Sequence, residues 1–126
     1  MSVDVIVCET CRPPSPAEAP GDVWTGAMFA ALLQGALAAA PEAGGITVGT
    51  MRCLMSCRRP CAVAIRSPDR MSYVLGDLSP EPDAVQALVD YLQAYHRSAD
   101  GVVPYRDWPA GVKGRFVARI PPCPAR

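Results

Sequence analysis

Two short cysteine runs, Cys8-Glu-Thr-Cys11 and Cys53-Leu-Met-Ser-Cys57-Arg-Arg-Pro-Cys61, each follow directly on a segment that reads as a β-strand. The first strand, Val3 to Val7, is rich in β-branched residues and ends at Cys8; the second, Ile46 to Met51, delivers Cys53. A helical stretch lies between them, so the three elements form a right-handed parallel crossover. Parallel neighbours run in the same direction and can end at the same edge of a sheet. The chain is therefore constrained to a fold that can gather four or five thiolates at one point.

The rest of the order follows from punctuation. Pro13, Pro14, Pro16 and Pro20 make 12–21 a loop. Asp22 is placed to cap a helix running to about Ala40, with Val23, Ala27, Ala30, Leu33 and Leu37 along its inner face. Pro41 and the pair Gly44-Gly45 stop it. Ala62–Arg66 and Met71–Leu75 read as a hairpin turning through Ser67-Pro68-Asp69-Arg70. Leu78-Ser79-Pro80-Glu81 opens a second helix, reaching about Arg97, with Val85, Leu88, Val89, Leu92 and Tyr95 inward. The expected class is α/β and thioredoxin-like: β-α-β, then a β-hairpin and a helix. Residues 1–99 form the domain and 100–126 an extended C-terminal arm, with no element expected in it and packed on or extending from the domain.

Softness and spacing frame the chemistry of the cysteines. An iron–sulfur cluster takes four ligands, normally thiolates. Structural zinc also takes four, but its usual signature repeats a two-residue gap in both halves, and the second run here has three-residue gaps. A dithiol redox protein would use Cys8 and Cys11 alone. Against it, a proline-rich loop separates that pair from the first helix, and the helix dipole is expected to be too remote to act on a thiol. Buried cysteines acting as small apolar residues are the structural alternative; clustering at strand exits beside Arg52, Arg58, Arg59 and Arg66 argues against it. Arg58 and Arg59 lie between candidate ligands, where they would offset cluster charge or meet an acidic patch on a partner.

Composition excludes several classes. The 126 residues suffice for one domain with its own core. Half the residues are hydrophobic and 19% are charged, unlike a disordered chain. Twelve basic and twelve acidic residues give no net charge, which argues against a nucleic-acid binder that neutralises many phosphates. No stretch is apolar enough to span a membrane, and the start lacks a secretory signal pattern, so a cytoplasmic location is expected. The single histidine, His96, closes the second helix and reads as a solvated or capping residue. Met51, Met55 and Met71 read as core, Trp24 and Trp108 as packing or interface residues, and Asp77 as a turn residue. Cys123, between prolines near the end of the chain, reads as a residue outside the ligand set.

Cys53-Leu-Met-Ser-Cys57, followed by a hairpin and then Leu78-Ser79-Pro80-Glu81, resembles the second half of the thioredoxin-like [2Fe–2S] ferredoxins. Over its whole length the chain resembles the DUF1636 family, described as predicted metal-binding proteins. That likeness is carried by the opening Cys-x-x-Cys-Arg, by Cys-Leu-x-x-Cys-x-x-x-Cys-Ala-Val-Ala, by Tyr73-Val-Leu-Gly-Asp-Leu78, by Gly101-Val-Val-Pro104 and by Arg119-Ile-Pro-Pro122. The resemblance implies a [2Fe–2S] electron carrier rather than an enzyme, serving a redox partner that is a cobalamin-biosynthesis enzyme. It implies Cys8, Cys11, Cys53 and Cys57 as ligands. Cys61 competes with Cys11, because the first pair is closer than in those ferredoxins and Cys61 stands where relatives tend to have proline. The alternatives are a cobalt or zinc delivery protein for corrinoid-pathway enzymes and a thiol oxidoreductase. A homodimer is a further expectation.

Overall fold

The computed structural model describes residues 2–10, 25–40, 44–55 and 61–123. Strand β1 (Val3–Cys8), helix α1 (Gly26–Ala39) and strand β2 (Ile46–Met51) are followed by β3 (Val63–Arg66), β4 (Ser72–Leu75), α2 (Pro82–Arg97) and β5 (Phe116–Ile120). The described strands make one sheet in the order β2-β1-β3-β4-β5. β1 pairs in parallel with β2, from Val3 opposite Ile46 to Cys8 opposite Met51. It pairs antiparallel with β3, from Asp4 opposite Arg66 to Val7 opposite Val63. The expected crossover, hairpin and second helix are all present.

Alternation sets the layers. Val3, Val5, Val7, Val63, Ile65, Tyr73 and Leu75 are buried and belong to one core with residues of both helices. The opposite face of the same strands, at Asp4, Ile6, Ala64 and Val74, is half-buried, as expected of a sheet covered on one side. Helix α1 buries Gly26, Phe29, Ala30, Leu33 and Leu37, so Ala27, expected inside, is exposed. An alanine-rich helix offers little contrast between its faces, which makes its rotation hard to read. Thr25 stands at its N-cap; Asp22 and Val23 lie outside the described residues. Helix α2 buries all five expected residues and Tyr91 as well. Its first-turn proline is Pro82, not Pro80, and Asp83 at its start with His96 and Arg97 at its end suit the helix dipole.

The tail holds an element where none was expected. After two single 3-10 turns, Tyr105–Asp107 and Ala110–Val112, β5 pairs antiparallel with β4. Four of its five residues are exposed, so it lacks the alternation that marks a strand in sequence. Aromatic packing docks it. The Phe116 ring lies 5.5 Å from Tyr73 and 5.3 Å from Tyr91, both edge-on, and 4.5 Å from Trp108. Trp108 donates its indole N–H to Val103 O at 2.8 Å, so it packs as expected; Trp24 lies outside the described residues.

Arg70 ties the hairpin turn to the end of α2. The turn is closed by Arg70 N–H donating to Ser67 O at 3.3 Å, with Asp69 in the left-handed region at φ 61°. The Arg70 side chain is 3% exposed and donates from Nη1 to Tyr95 O and His96 O, each at 3.1 Å. It thus donates to two of the last carbonyls of the helix, that of Tyr95 also accepting the Ser98 N–H. Tyr95 completes the tie by donating its hydroxyl to Met71 O at 2.6 Å; burial pushes its phenol up to about 12, so it remains a donor at ordinary pH. Arg70→Ala is therefore expected to lower stability by about 2–3 kcal/mol, the range for buried hydrogen bonds to a charged group. Urea unfolding followed by circular dichroism checks this; an unchanged midpoint would mean that the guanidinium is dispensable.

Candidate metal centre at the strand ends

Parallel pairing of β1 and β2 brings the two cysteine runs to one end of the sheet. Past the last ladder pair, Glu9 N–H donates to Met51 O at 2.9 Å, so the chains leave the sheet side by side. Cys8 Sγ lies 3.9 Å from the carbonyl oxygen of Arg52, the residue before Cys53. The Thr10 hydroxyl, 3.8 Å from the same sulfur, donates to Arg52 O. On the other side Cys8 N–H donates to Ala62 O at 3.0 Å, and Cys61 Sγ lies 3.9 Å from Cys8 O. Cys61 is itself anchored by its N–H to Leu78 O at 2.8 Å.

The described cysteines differ in setting. Cys8 is 2% exposed and Cys61 fully buried, while Cys53 is half-buried. Cys53 Sγ accepts the N–H of Met55 at 3.3 Å, and Met55 adopts a left-handed φ of 60° that curls the chain around the sulfur. A non-glycine residue there carries strain of the kind found at ligand-holding turns. Cys11 and Cys57 lie outside the described residues, as do Arg58 and Arg59. Among the described residues, no group of three or more His, Cys, Asp or Glu side chains is arranged to hold a metal. The donors that are described are soft thiols delivered from neighbouring strand ends, and soft donors suit iron–sulfur clusters, zinc and similar ions.

The first helix reaches this end of the sheet, contrary to expectation. A Cβ on Gly26 would stand 1.6 Å from Cys8 O and 3.2 Å from Glu9 Cα, so the first turn of α1 rests directly on the Cys8 peptide. Ala27 N–H donates to Glu9 O at 3.3 Å. The positive end of the helix dipole therefore meets the strand exit that carries Cys8. Residues well separated in sequence thus meet in space, and the argument from sequence separation against a dipole effect does not hold.

Other expectations move. Arg66 lies at the far end of β3, with Nε 3.7 Å from Asp4 Oδ2, and not beside the cysteines. A residue a few places from a motif in sequence is carried away when the chain between becomes a strand. Met51 and Met55 are exposed, at 53% and 90%: Met51 alternates with Ile46 and Val48 and so lies on the uncovered face of β2, and Met55 follows in its exit turn; Met71 packs against the core. His96 sits at the C-terminal end of α2, and Asp77, at φ 57°, is a turn residue as expected. Cys123 is exposed and lines a cleft with Ser67, Asp69 and Arg70, at the sheet end opposite Cys8. A cleft of about 740 Å³ lies between α2 and the segment after it; Asp90, Gln93, Arg97 and Asp107 are among the residues that line it, and no described cysteine is. Thr10 and Gly26 carry no motif signal in the sequence. Thr10 sits inside the first run, but nothing local to Gly26 signals its contact with Cys8.

The family model described as "Protein of unknown function (DUF1636)" matches residues 5–122. Among solved structures, the chain is similar to a thioredoxin-like [2Fe–2S] ferredoxin from Aquifex aeolicus, with 13% identity and a TM-score of 0.59. The likeness covers 94% of this chain and 92% of that one, and it establishes a thioredoxin-like ferredoxin fold. Comparison with curated proteins gives no match.

Gly26 and Gly35 belong to the same helix and make opposite demands. Gly35→Ala meets nothing within 4 Å and is expected to stabilise the protein by about 0.5–1 kcal/mol. Gly26→Ala drives a methyl group into backbone and is expected to destabilise it by about 3 kcal/mol, the upper end for inserted bulk. Denaturant titration of the two variants checks the pair; equal midpoints would show that α1 does not rest on Cys8.

Proposed function

This chain belongs to the DUF1636 family, and from that premise we propose that it is a [2Fe–2S] electron carrier whose cluster is held by Cys8, Cys11, Cys53 and Cys57. The observation that carries the reading is the approach of Cys8 Sγ to Arg52 O at 3.9 Å, which joins the exits that deliver the two runs. The similarity of fold to a [2Fe–2S] ferredoxin supports it. Cys61 competes with Cys11 for the fourth place, since its sulfur lies 3.9 Å from Cys8 O. When bound, such a cluster supplies one-electron transfer, and the protein sets its potential and its docking.

Several neighbours of the cysteines have a part in that role. The β1–β2 ladder fixes the spacing of the two runs, and the Met55 N–H is aimed at the Cys53 sulfur. The N-terminus of α1 places positive potential beside Cys8, which suits an anionic centre there. Exposed Arg52 adds a cation at the same end. In this reading the chain is a carrier and not an enzyme, and its partner is a redox protein, taken to be a cobalamin-biosynthesis enzyme. In the same reading the partner is neither nucleic acid nor membrane. A cytoplasmic location and a homodimer belong to the same proposal.

Anaerobic purification tests the reading. A brown protein with iron and acid-labile sulfide supports it. A colourless protein holding zinc or cobalt would instead favour a metal-delivery accessory for corrinoid-pathway enzymes, and a metal-free protein with a titratable disulfide a thiol oxidoreductase. Cys53→Ser and Cys57→Ser are each expected to abolish cluster incorporation, because serine keeps the shape but is a far harder ligand. Visible absorption and iron content at wild-type level in both variants would sink the ligand assignment. Cys123→Ala is expected to keep the full complement of iron, since its residue stands at the opposite end of the sheet.

A further inference from the structure

We propose that Thr10 is a positioning residue for the cysteine centre: its hydroxyl, which donates to Arg52 O beside the Cys8 thiol, turns to donate to the Cys8 sulfur once that sulfur is a metal-bound thiolate. The inference rests on the proposal that these cysteines hold a metal or cluster.

The geometry is a triangle of three atoms. Thr10 Oγ1 donates to Arg52 O, Cys8 Sγ lies 3.8 Å from Thr10 Oγ1, and Cys8 Sγ lies 3.9 Å from Arg52 O. A contact of 3.8 Å suits a hydrogen bond in which sulfur is one partner. Thr10 is two residues from Cys8 and 42 from Arg52, so one side chain bridges both runs.

Proton accounting gives that bridge its direction. As a thiol, Cys8 carries one S–H and can donate to Thr10 Oγ1 or to Arg52 O. Thr10 carries one O–H, which in this arrangement goes to Arg52 O. A metal-bound cysteine sulfur has no proton and can only accept. The Thr10 hydroxyl can then rotate about its Cβ–Oγ1 bond and turn its proton from the carbonyl to the sulfur, giving up its bond to Arg52 O. A hydrogen bond to a ligating sulfur withdraws electron density from it. At an iron–sulfur centre this raises the reduction potential, and at any metal it orients the ligand. The exposed position of Thr10 keeps it out of the packed core, so its hydroxyl can be removed without opening a cavity.

The test compares Thr10→Val, which keeps the shape and loses the hydroxyl, with Thr10→Ser, which keeps the hydroxyl. Reduced, metal-free protein is titrated with cobalt(II), and the thiolate-to-cobalt charge-transfer absorption reports affinity and ligand environment. Cluster-loaded protein is titrated electrochemically. Thr10→Val is expected to bind cobalt(II) about tenfold more weakly, the lower end for loss of an outer hydrogen bond to a ligand. Its cluster is expected to have a more negative potential, and Thr10→Ser to restore both. Weaker binding with an unchanged potential would reduce Thr10 to a structural tie and overturn the proposal, as would wild-type values for both. If Thr10→Val does not fold, Thr10→Ala gives the same comparison. Wild-type protein that takes up neither cobalt(II) nor a cluster would overturn the reading of the cysteines, and this proposal with it. That outcome is distinct from a loaded protein indifferent to Thr10.

Discussion

Strand β1 is hydrogen-bonded along both edges, in parallel to β2 and antiparallel to β3. Its register with β2 puts Cys8 opposite Met51, and so brings the first cysteine run beside the second. A slip of one residue would turn Val3, Val5 and Val7 out of the core and Cys8 to the other face. These valines are fully buried, which makes such a slip costly. The position of the candidate ligands is therefore set by burial several residues away from them. The same packing that holds the strand holds the thiols.

The other elements secure that arrangement at its two ends. At the cysteine end α1 rests on the Cys8 peptide through Gly26, and Cys61 hangs from Leu78 O, the start of the segment leading to α2. At the opposite end Arg70 joins the hairpin turn to the last carbonyls of α2, and Tyr95 reaches Met71. The division is chemical as well as spatial. One end offers thiols, a helix N-terminus and short exit turns. The other offers backbone carbonyls satisfied by a buried cation, with Cys123 exposed beside it.

Local composition made much of this legible. β-branched runs ended by cysteines, a Ser-Pro-Asp-Arg turn and a strongly amphipathic second helix fix their own conformations through near-neighbour sterics and burial. The order β-α-β, hairpin, helix follows, and chain handedness allows few ways to assemble it. β5 escaped because an edge strand exposed on both faces has no alternating pattern to read. It is held instead by Phe116 meeting Tyr73 and Tyr91, contacts between residues distant in sequence. The exposure of Met51 and Met55 escaped for a related reason: hydrophobic character does not say whether a layer exists to cover it.

What the sequence determined by itself was the inventory and its approximate address: soft ligands at the exits of two strands that must run parallel. That follows from residue type and from periodicity, which act over a few residues. Only the tertiary structure decided which neighbours reach those exits. It set the first turn of α1 on Cys8, many residues away in sequence, carried Arg66 to the far end of β3, and brought the Thr10 hydroxyl to Arg52 O. Such contacts depend on the closing of long loops and on the register of one strand against another. Loop closure grows only slowly more costly with length, so separation along the chain says little about separation in space.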